Sequence, residues 1–314
     1  MSEPLPQSEK FANPHITAKG EQRAWVELNS LKTLWFNTGT LCNLACINCY
    51  IESTPTNDAL AYLTLAEAIE YLNEIARDNI PTEEIGITGG EPFMNPDIIA
   101  IMEESLKRGF KLLVLTNAMR PMMKCENDLL RLKEEYGAQM TLRISVDHFK
   151  QELHEEERGA RSWEPMMKGL QWLSDNEFTI DIAGRTRWGE DENELREGFA
   201  AFFKTHNINI NAHDQKQLIL FPEMDETAEV PEITDACWGI LGVNPDDMMC
   251  SSSRMIVKHK GEKKPSVMAC TLLAYDQQFN MGETLKEASE SVKLNHPHCS
   301  KFCVLGGGAC SVKD

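Results

Sequence analysis

Leu41-Cys42-Asn43-Leu44-Ala45-Cys46-Ile47-Asn48-Cys49-Tyr50 follows directly on an apolar run at 31–37. A short apolar run bounded by turn residues reads as a buried strand. The three cysteines stand at C-x3-C-x2-C spacing on the loop that leaves it. Three thiolates on one loop can ligate three irons of a [4Fe–4S] cube, leaving the fourth iron without a protein ligand. Such an iron can take a bidentate small molecule, as catalytic metal sites keep one position open. The plainer alternatives are a zinc site short of one ligand, or buried unreactive thiols.

Further short apolar runs at 84–88, 111–116, 141–146, 178–183 and 217–221 alternate with helical patterns. Thr64 and Glu67 predict a capping box. Asn95-Pro96 predicts a helix start and Gly109 its end. Ser162 opens a segment running to 176, and Asp191 or Asn193 opens one ending near His206. Strands separated by single helices imply parallel βα units. Six units are too few for a closed eight-fold barrel. An α/β fold is therefore expected, either a partial (β/α)6 TIM-like barrel or a doubly wound sheet, with ligands at the C-terminal strand ends in both. The expected plan is an N-terminal extension at 1–30, the core at 31–221, a Pro/Asp/Glu-rich linker at 222–249 and a small cysteine-rich extension at 250–314. That extension contains a predicted hairpin, 255–259 with 266–269, around a Lys/Gly turn.

The whole chain has 314 residues, 42% hydrophobic and 25% charged, the mix of a soluble globular protein. It shows neither a long apolar run nor a signal-peptide h-region, so a cytoplasmic protein without a membrane span is expected. Acidic residues outnumber basic ones 49 to 31. Nucleic-acid binding is not expected, because a phosphate backbone demands Lys and Arg. Six of the ten cysteines fall beyond residue 236, and in a long chain without an export signal clustered cysteines point to metal rather than disulfides.

The cysteine loop with its following aromatic, Tyr50, and the segment Thr88-Gly89-Gly90-Glu91-Pro92 one βα unit later resemble the two hallmarks of the radical S-adenosylmethionine (radical SAM) superfamily. The resemblance spans 31–221. It implies a SAM-binding [4Fe–4S] cluster on Cys42, Cys46 and Cys49. It implies S-adenosyl-L-methionine held by Gly89, Gly90 and Glu91 at the methionyl amine and by Tyr50 at the adenine. Asn117 would contact the ribose and Ser145 the ribose or carboxylate, while Arg185 would face the methionyl carboxylate. Ile144-Ser145-Val146-Asp147 is similar to the family's I-S-x-D segment, and Asp147 and Arg185 are the candidates for a catalytic role. The chemistry implied is reductive cleavage of SAM to methionine and a 5′-deoxyadenosyl radical, which abstracts a hydrogen atom. A flavodoxin or ferredoxin would supply the electron.

In the tail, Cys250, Cys270, Cys299, Cys303 and Cys310 resemble the ligands of the auxiliary iron–sulfur domains called SPASM and twitch. The first choice for an auxiliary [4Fe–4S] cluster is Cys250, Cys270, Cys299 and Cys303. Cys310, after Gly306-Gly307-Gly308, is a replacement for one of them. Eight residues between Gly261 and Cys270, and the missing C-x2-C-x5-C-x3-C run, favour the single-cluster twitch form. Structural zinc stays open, with His259, His296 and His298 as alternative ligands. Cys125 is expected to be an ordinary buried thiol.

The substrate expected is a small molecule or a peptide. A maturase acting on protein or peptide side chains, like sulfatase-maturating enzymes, competes with a small-alcohol oxidase, like inosamine dehydrogenases. By the resemblance, a separate peptide-recognition domain is expected to need more than the thirty residues ahead of the barrel, which leans toward a small substrate or a short exposed peptide motif. A non-catalytic iron–sulfur electron carrier is the alternative of another class, and the GGEP segment argues against it. His154 and the run Glu155-Glu156-Glu157 read as a solvated acidic face. Trp188, Glu190 and Asp191 read as surface groups near the mouth, and the paired methionines as adaptable packing.

Overall fold

The computed structural model describes residues 10–223 and 229–307. In chain order its elements are β1 Trp25–Val26, β2 Thr33–Asn37, α1 Leu65–Asp78, β3 Glu84–Thr88, α2 Ile98–Lys107, β4 Lys111–Thr116, α3 Arg120–Met123 and α4 Glu126–Tyr136. There follow β5 Met140–Asp147, α5 Gln151–Arg158, α6 Trp163–Asp175, β6 Thr179–Arg185, α7 Glu192–Thr205 and β7 Leu218–Phe221. The remainder is α8 Asp235–Leu241, β8 Ser253–Val257, β9 Ser266–Met268 and β10 Val292–Lys293. Eight strands form one sheet in the order β7-β6-β5-β4-β3-β2-β8-β9, parallel throughout except for β9. From β2 to β7 the order never reverses. A doubly wound sheet reverses at its switch point, so this is the open β/α barrel of the two expected alternatives.

Strand alternation sorts the residues into two layers. Leu34, Phe36, Ile85, Ile87, Leu112, Val114, Leu142 and Ile144 pack outward on Leu72, Ile101, Leu129, Leu170 and Phe199 of the helices. Trp35 and Leu113 face the other way, in a second cluster with Met255 and Val257 of β8. Trp35 pairs with Gly86 across β2 and β3, and a Cβ on Gly86 would lie 2.4 Å from the indole. Only glycine lets the indole lie across the lumen.

The predicted capping box forms at Thr64 with Glu67, and α7 opens at Asp191 rather than Asn193, with a capping box to Glu194 that was not predicted. α2 begins at Ile98, later than Asn95-Pro96 implies. The Asn95 amide instead donates to the carbonyls of Thr38 (3.1 Å) and Leu63 (2.9 Å), holding this turn against the exit of β2.

The predicted hairpin is present, with Met255 opposite Met268 and Val257 opposite Ser266. Its first strand, β8, lies parallel beside β2, so the cysteine-rich segment extends the main sheet. N-terminal β1 pairs with β10 near the other end of the described chain. Phe302, in the π-helical turn Cys299–Leu305, stacks on Phe221 of the edge strand β7 with centroids 6.0 Å apart. That contact bridges the barrel's open side. No helix of the described residues is long and apolar enough to cross a membrane.

Candidate functional site

The C-terminal strand ends surround a cavity of about 160 Å³. The loop after β2 contributes Cys42, Cys46, Cys49, Tyr50 and Ser53, and the exit of β3 contributes Thr88, Gly89 and Gly90. Leu115, Thr116 and Asn117 come from β4, Ser145 and Asp147 from β5, and Ala183 and Arg185 from β6. Phe221, Pro222, Leu272 and Phe302 close the cavity with apolar surface. Of the residues expected around SAM, Glu91 alone is absent from this wall. A larger cavity of about 620 Å³, around Lys32, Glu84, Arg143 and Asp181, opens at the opposite, N-terminal strand ends. Barrels of this kind carry their chemistry at the C-terminal face.

The glycine pair has a local reason. A Cβ on Gly90 would lie 2.3 Å from the Leu41 carbonyl, and one on Gly89 (φ +146°) 2.7 Å from that of Gly39. The Gly90 N–H donates to the Gly39 carbonyl (2.8 Å) and the Glu91 N–H to that of Leu41 (3.1 Å). These glycines therefore let the turn close on the segment entering the cysteine loop. The Glu91 carboxylate lies behind the wall, accepting from the Thr116 hydroxyl (2.8 Å), the Asn117 N–H (2.9 Å) and the Phe93 N–H (3.2 Å). Burial pushes its carboxyl up to about 7 despite those donors. Asn117 in turn donates to the Asn43 side chain (2.9 Å), so two strand ends are tied to the cysteine loop.

Burial pushes the Cys42 thiol up to about 12 and raises that of Cys46, against the pull of Arg158 on both. Coordination to a metal deprotonates such thiols outright. The N–H groups of Leu44 and Ser53 donate to the sulfurs of Cys42 and Cys49, both at 3.4 Å, the contacts expected of ligand thiolates. The buried Ser53 hydroxyl faces this cavity without a hydrogen-bond partner among the described residues. Three thiols, sulfur-directed amides and an orphan hydroxyl fit a cluster with a small polar ligand. Among the described residues no three His, Cys, Asp or Glu side chains gather closely enough to hold a single metal ion.

An ion network braces the far side of the loop. Asp147, in a left-handed backbone conformation (φ +47°), accepts from Arg158 Nε at 2.6 Å and lies 3.4 Å from Arg185 Nε. Burial would raise its carboxyl, but Arg158 and Arg185 outweigh burial and hold it below the usual range. Arg185 also donates to the Asn48 carbonyl (3.1 Å) and stands 3.4 Å from Glu157 and 3.9 Å from Glu223. Its charge is thus shared among carboxylates of the protein.

The acidic run at 155–157 is not a uniformly solvated face. Glu157 is fully buried, accepting from the Asn48 N–H (3.0 Å), the Asn48 side chain (2.9 Å) and Arg187 (2.6 Å). Its carbonyl accepts from the Ile47 N–H (2.9 Å). His154 is buried too, its Nδ1 2.7 Å from the Val146 carbonyl. Helical spacing puts His154, Glu157 and Arg158 on one face of α5, and Arg158 of that face lines the cavity. Glu157 and Arg158 are among the site residues missed from sequence, with Ser53, Phe221, Leu272 and Phe302, and that i, i+3, i+4 spacing was the signal for the first two.

Of the second cysteine set, Cys250, Cys270 and Cys299 lie within electrostatic reach of one another. Cys250, Cys270, Cys299 and Cys303 share one apolar cluster with Met255, Met268 and Phe302. Burial pushes the Cys250 thiol up to about 11 and raises that of Cys299 well above the ordinary thiol value, with Cys270 and Cys250 adding to the rise. The Leu272 N–H donates to Cys270 sulfur (3.3 Å). Two buried thiols, Cys250 and Cys299, beside half-buried Cys270 with an amide aimed at its sulfur fit an iron–sulfur cluster. Cys310 lies outside the described residues. Cys125 is half-buried at the start of α4, packed on the helical layer.

A sequence model of the Radical SAM superfamily matches residues 36–193, about half of the chain. The chain belongs to the radical SAM superfamily. Membership implies a [4Fe–4S] cluster and SAM. Among curated proteins, the antilisterial bacteriocin subtilosin biosynthesis protein AlbA of Bacillus subtilis (strain 168) is 32% identical over 143 residues, 45% of this chain and 30% of that protein. The AdoMet-dependent heme synthase of Methanosarcina barkeri is 28% identical over 144 residues, 45% of this chain and 38% of that protein. The matched region thus spans well under half of these relatives. Among solved structures, Streptococcus suis SuiB bound to S-adenosylmethionine superposes with TM-score 0.58 at 12% identity, covering 81% of this chain and 63% of that one. Native anSMEcpe with bound AdoMet gives TM-score 0.58 at 14% identity, covering 86% and 82%. At those identities the likeness is one of fold.

Proposed function

We propose that this chain is a radical SAM enzyme that cleaves S-adenosylmethionine reductively and takes a hydrogen atom from a peptide side chain. The observation that carries the reading is the convergence of Cys42, Cys46 and Cys49 with the Thr88-Gly89-Gly90 turn on one cavity at the C-terminal strand ends. When bound, the cluster and SAM supply the electron transfer and the 5′-deoxyadenosyl radical. The protein's own part is to place and shield. Amides from Leu44 and Ser53 steady two ligand sulfurs, and the Glu91–Asn117–Asn43 chain and Glu157 hold the loop from two sides. Gly89, Gly90, Ser53, Asn117 and Ser145 offer backbone and hydroxyl or amide contacts to the nucleoside and methionyl groups, with Tyr50 at the adenine. Asp147, Arg158 and Arg185 form a charged wall in which Asp147 orients the two guanidinium groups. Phe221, Leu272 and Phe302 exclude water from the reacting carbon.

A peptide substrate is supported by the bacteriocin-biosynthesis relative and by the fold shared with SuiB, a protein also solved with its precursor peptide SuiA. Cys250, Cys270, Cys299 and Cys303 are assigned to an auxiliary [4Fe–4S] cluster that assists electron transfer or substrate binding, and a cytoplasmic flavodoxin or ferredoxin to electron supply. The test is to add SAM and dithionite to the anaerobically reconstituted protein and measure 5′-deoxyadenosine. Release by the wild type and none by Cys49→Ala is expected. A fully iron-loaded wild type that releases none is an electron carrier, and the proposal fails.

A further inference from the structure

The start of β8 carries a buried cation that no carboxylate among the described residues offsets. Arg254 is 1% exposed. Its guanidinium donates to four carbonyls: Nε to Ala288 (2.8 Å), Nη1 to Cys250 (2.6 Å) and Ser253 (2.8 Å), and Nη2 to Glu290 (3.1 Å). Other buried arginines here have acidic partners: Arg23 with Glu232, Arg158 with Asp147, Arg196 with Glu192. Among the described residues none pairs with Arg254. Carbonyls satisfy its N–H donors yet leave its charge uncancelled, and an uncompensated buried charge is costly. Its Nη1 lies against the Cys250 carbonyl, and the groups able to carry negative charge that interact with it are the side chains of Cys250 and Cys270.

Those two side chains stand beside Cys299 in the same buried cluster. As neutral thiols they cannot balance a guanidinium. As thiolates around iron they can, because a four-thiolate cube is an anion in both oxidation states and more negative once reduced. We propose that Arg254 is the built-in counter-charge of the auxiliary cluster on Cys250, Cys270, Cys299 and Cys303, and that it raises the cluster's reduction potential by favouring the more negative, reduced state. This rests on the auxiliary-cluster assignment above. Arg254 touches no reacting atom and acts through the cluster alone. The step concerned is uptake of one electron by the cube, here from dithionite, with no bond made or broken.

The test uses the full chain carrying Cys42→Ala, Cys46→Ala and Cys49→Ala, so that a single cluster remains, reconstituted anaerobically and titrated potentiometrically by EPR. Arg254→Gln is expected to weaken reduction about tenfold or more, a drop of ~59 mV for a one-electron couple. Arg254→Lys, which keeps the charge, is expected to stay near the parent. Equal potentials in all three proteins would overturn the proposal. So would a shift in Arg254→Lys as large as in Arg254→Gln, because the fork's hydrogen bonds would then matter and the charge would not. Should substitution cost iron, loss in Arg254→Gln with retention in Arg254→Lys supports the proposal, and equal loss in both overturns it. A parent that binds no iron, or only zinc, removes the auxiliary cluster and this inference together, and that failure shows before Arg254 is touched.

Discussion

Glu91 and Asp147 are two buried carboxylates at the same strand ends, and their surroundings push them in opposite directions. Glu91 faces neutral donors, so burial prevails and its carboxyl rises to about 7. Its folded value exceeds its unfolded one. The stability it contributes is fully present below the ordinary carboxylate value and is lost as pH rises through about 7. Glu91→Gln should flatten the dependence of the urea midpoint on pH across that window. Asp147 faces two guanidinium groups, so its folded value lies below the unfolded one, and its contribution is present above the ordinary carboxylate value and lost on acidification. Asp147→Asn leaves Arg158 buried without its closest partner and should cost about 3 kcal/mol in denaturant unfolding at neutral pH. A cost near zero would show that Arg185 and Arg158 find solvent instead.

At the scale of elements, α5 matters more than its composition suggests. Eight residues bearing five charged side chains look like a solvent-facing helix, yet one of its faces grips the cysteine loop through Glu157. Hydrogen bonds to a charged group contribute roughly 1.5–3 kcal/mol each. Glu157→Gln should therefore lower iron occupancy of the loop about tenfold at limiting iron while the tail cysteines keep theirs, read by EPR of each cluster. Unchanged occupancy would mean that the loop is organised by the glycine turn alone. The π-helical turn Cys299–Leu305 is the complementary case. It carries two tail cysteines and also Phe302, which lines the cavity, so one turn serves both cysteine sets.

Across the whole molecule, the two cysteine sets belong to one continuous architecture, because β8 joins the sheet directly beside β2. The strand that precedes the first cysteine loop and the strand that follows Cys250 are neighbours in register. With two cubes, iron analysis of the reconstituted wild type should return about eight irons per chain, and the Cys42/Cys46/Cys49 triple alanine variant about four. Full retention of iron in that variant would remove the first loop from cluster binding.

The spacing of Cys42, Cys46 and Cys49, the Gly89-Gly90 pair and the regular recurrence of apolar runs were enough to read an α/β core of parallel units, the cysteine loop and its ligand turn, because periodicity and ligand spacing are local properties of the chain. Whether the six units wind one way or reverse was not local, and strand order decided it. The same holds for Glu91, which resembles a ligand contact in sequence but is turned behind the wall by Thr116 and Asn117. Glu157 looked solvated because composition averages over a helix, whereas burial depends on which face meets the barrel. Arg254 carries no signal in sequence at all, since the absence of a countercharge is a statement about everything packed around it.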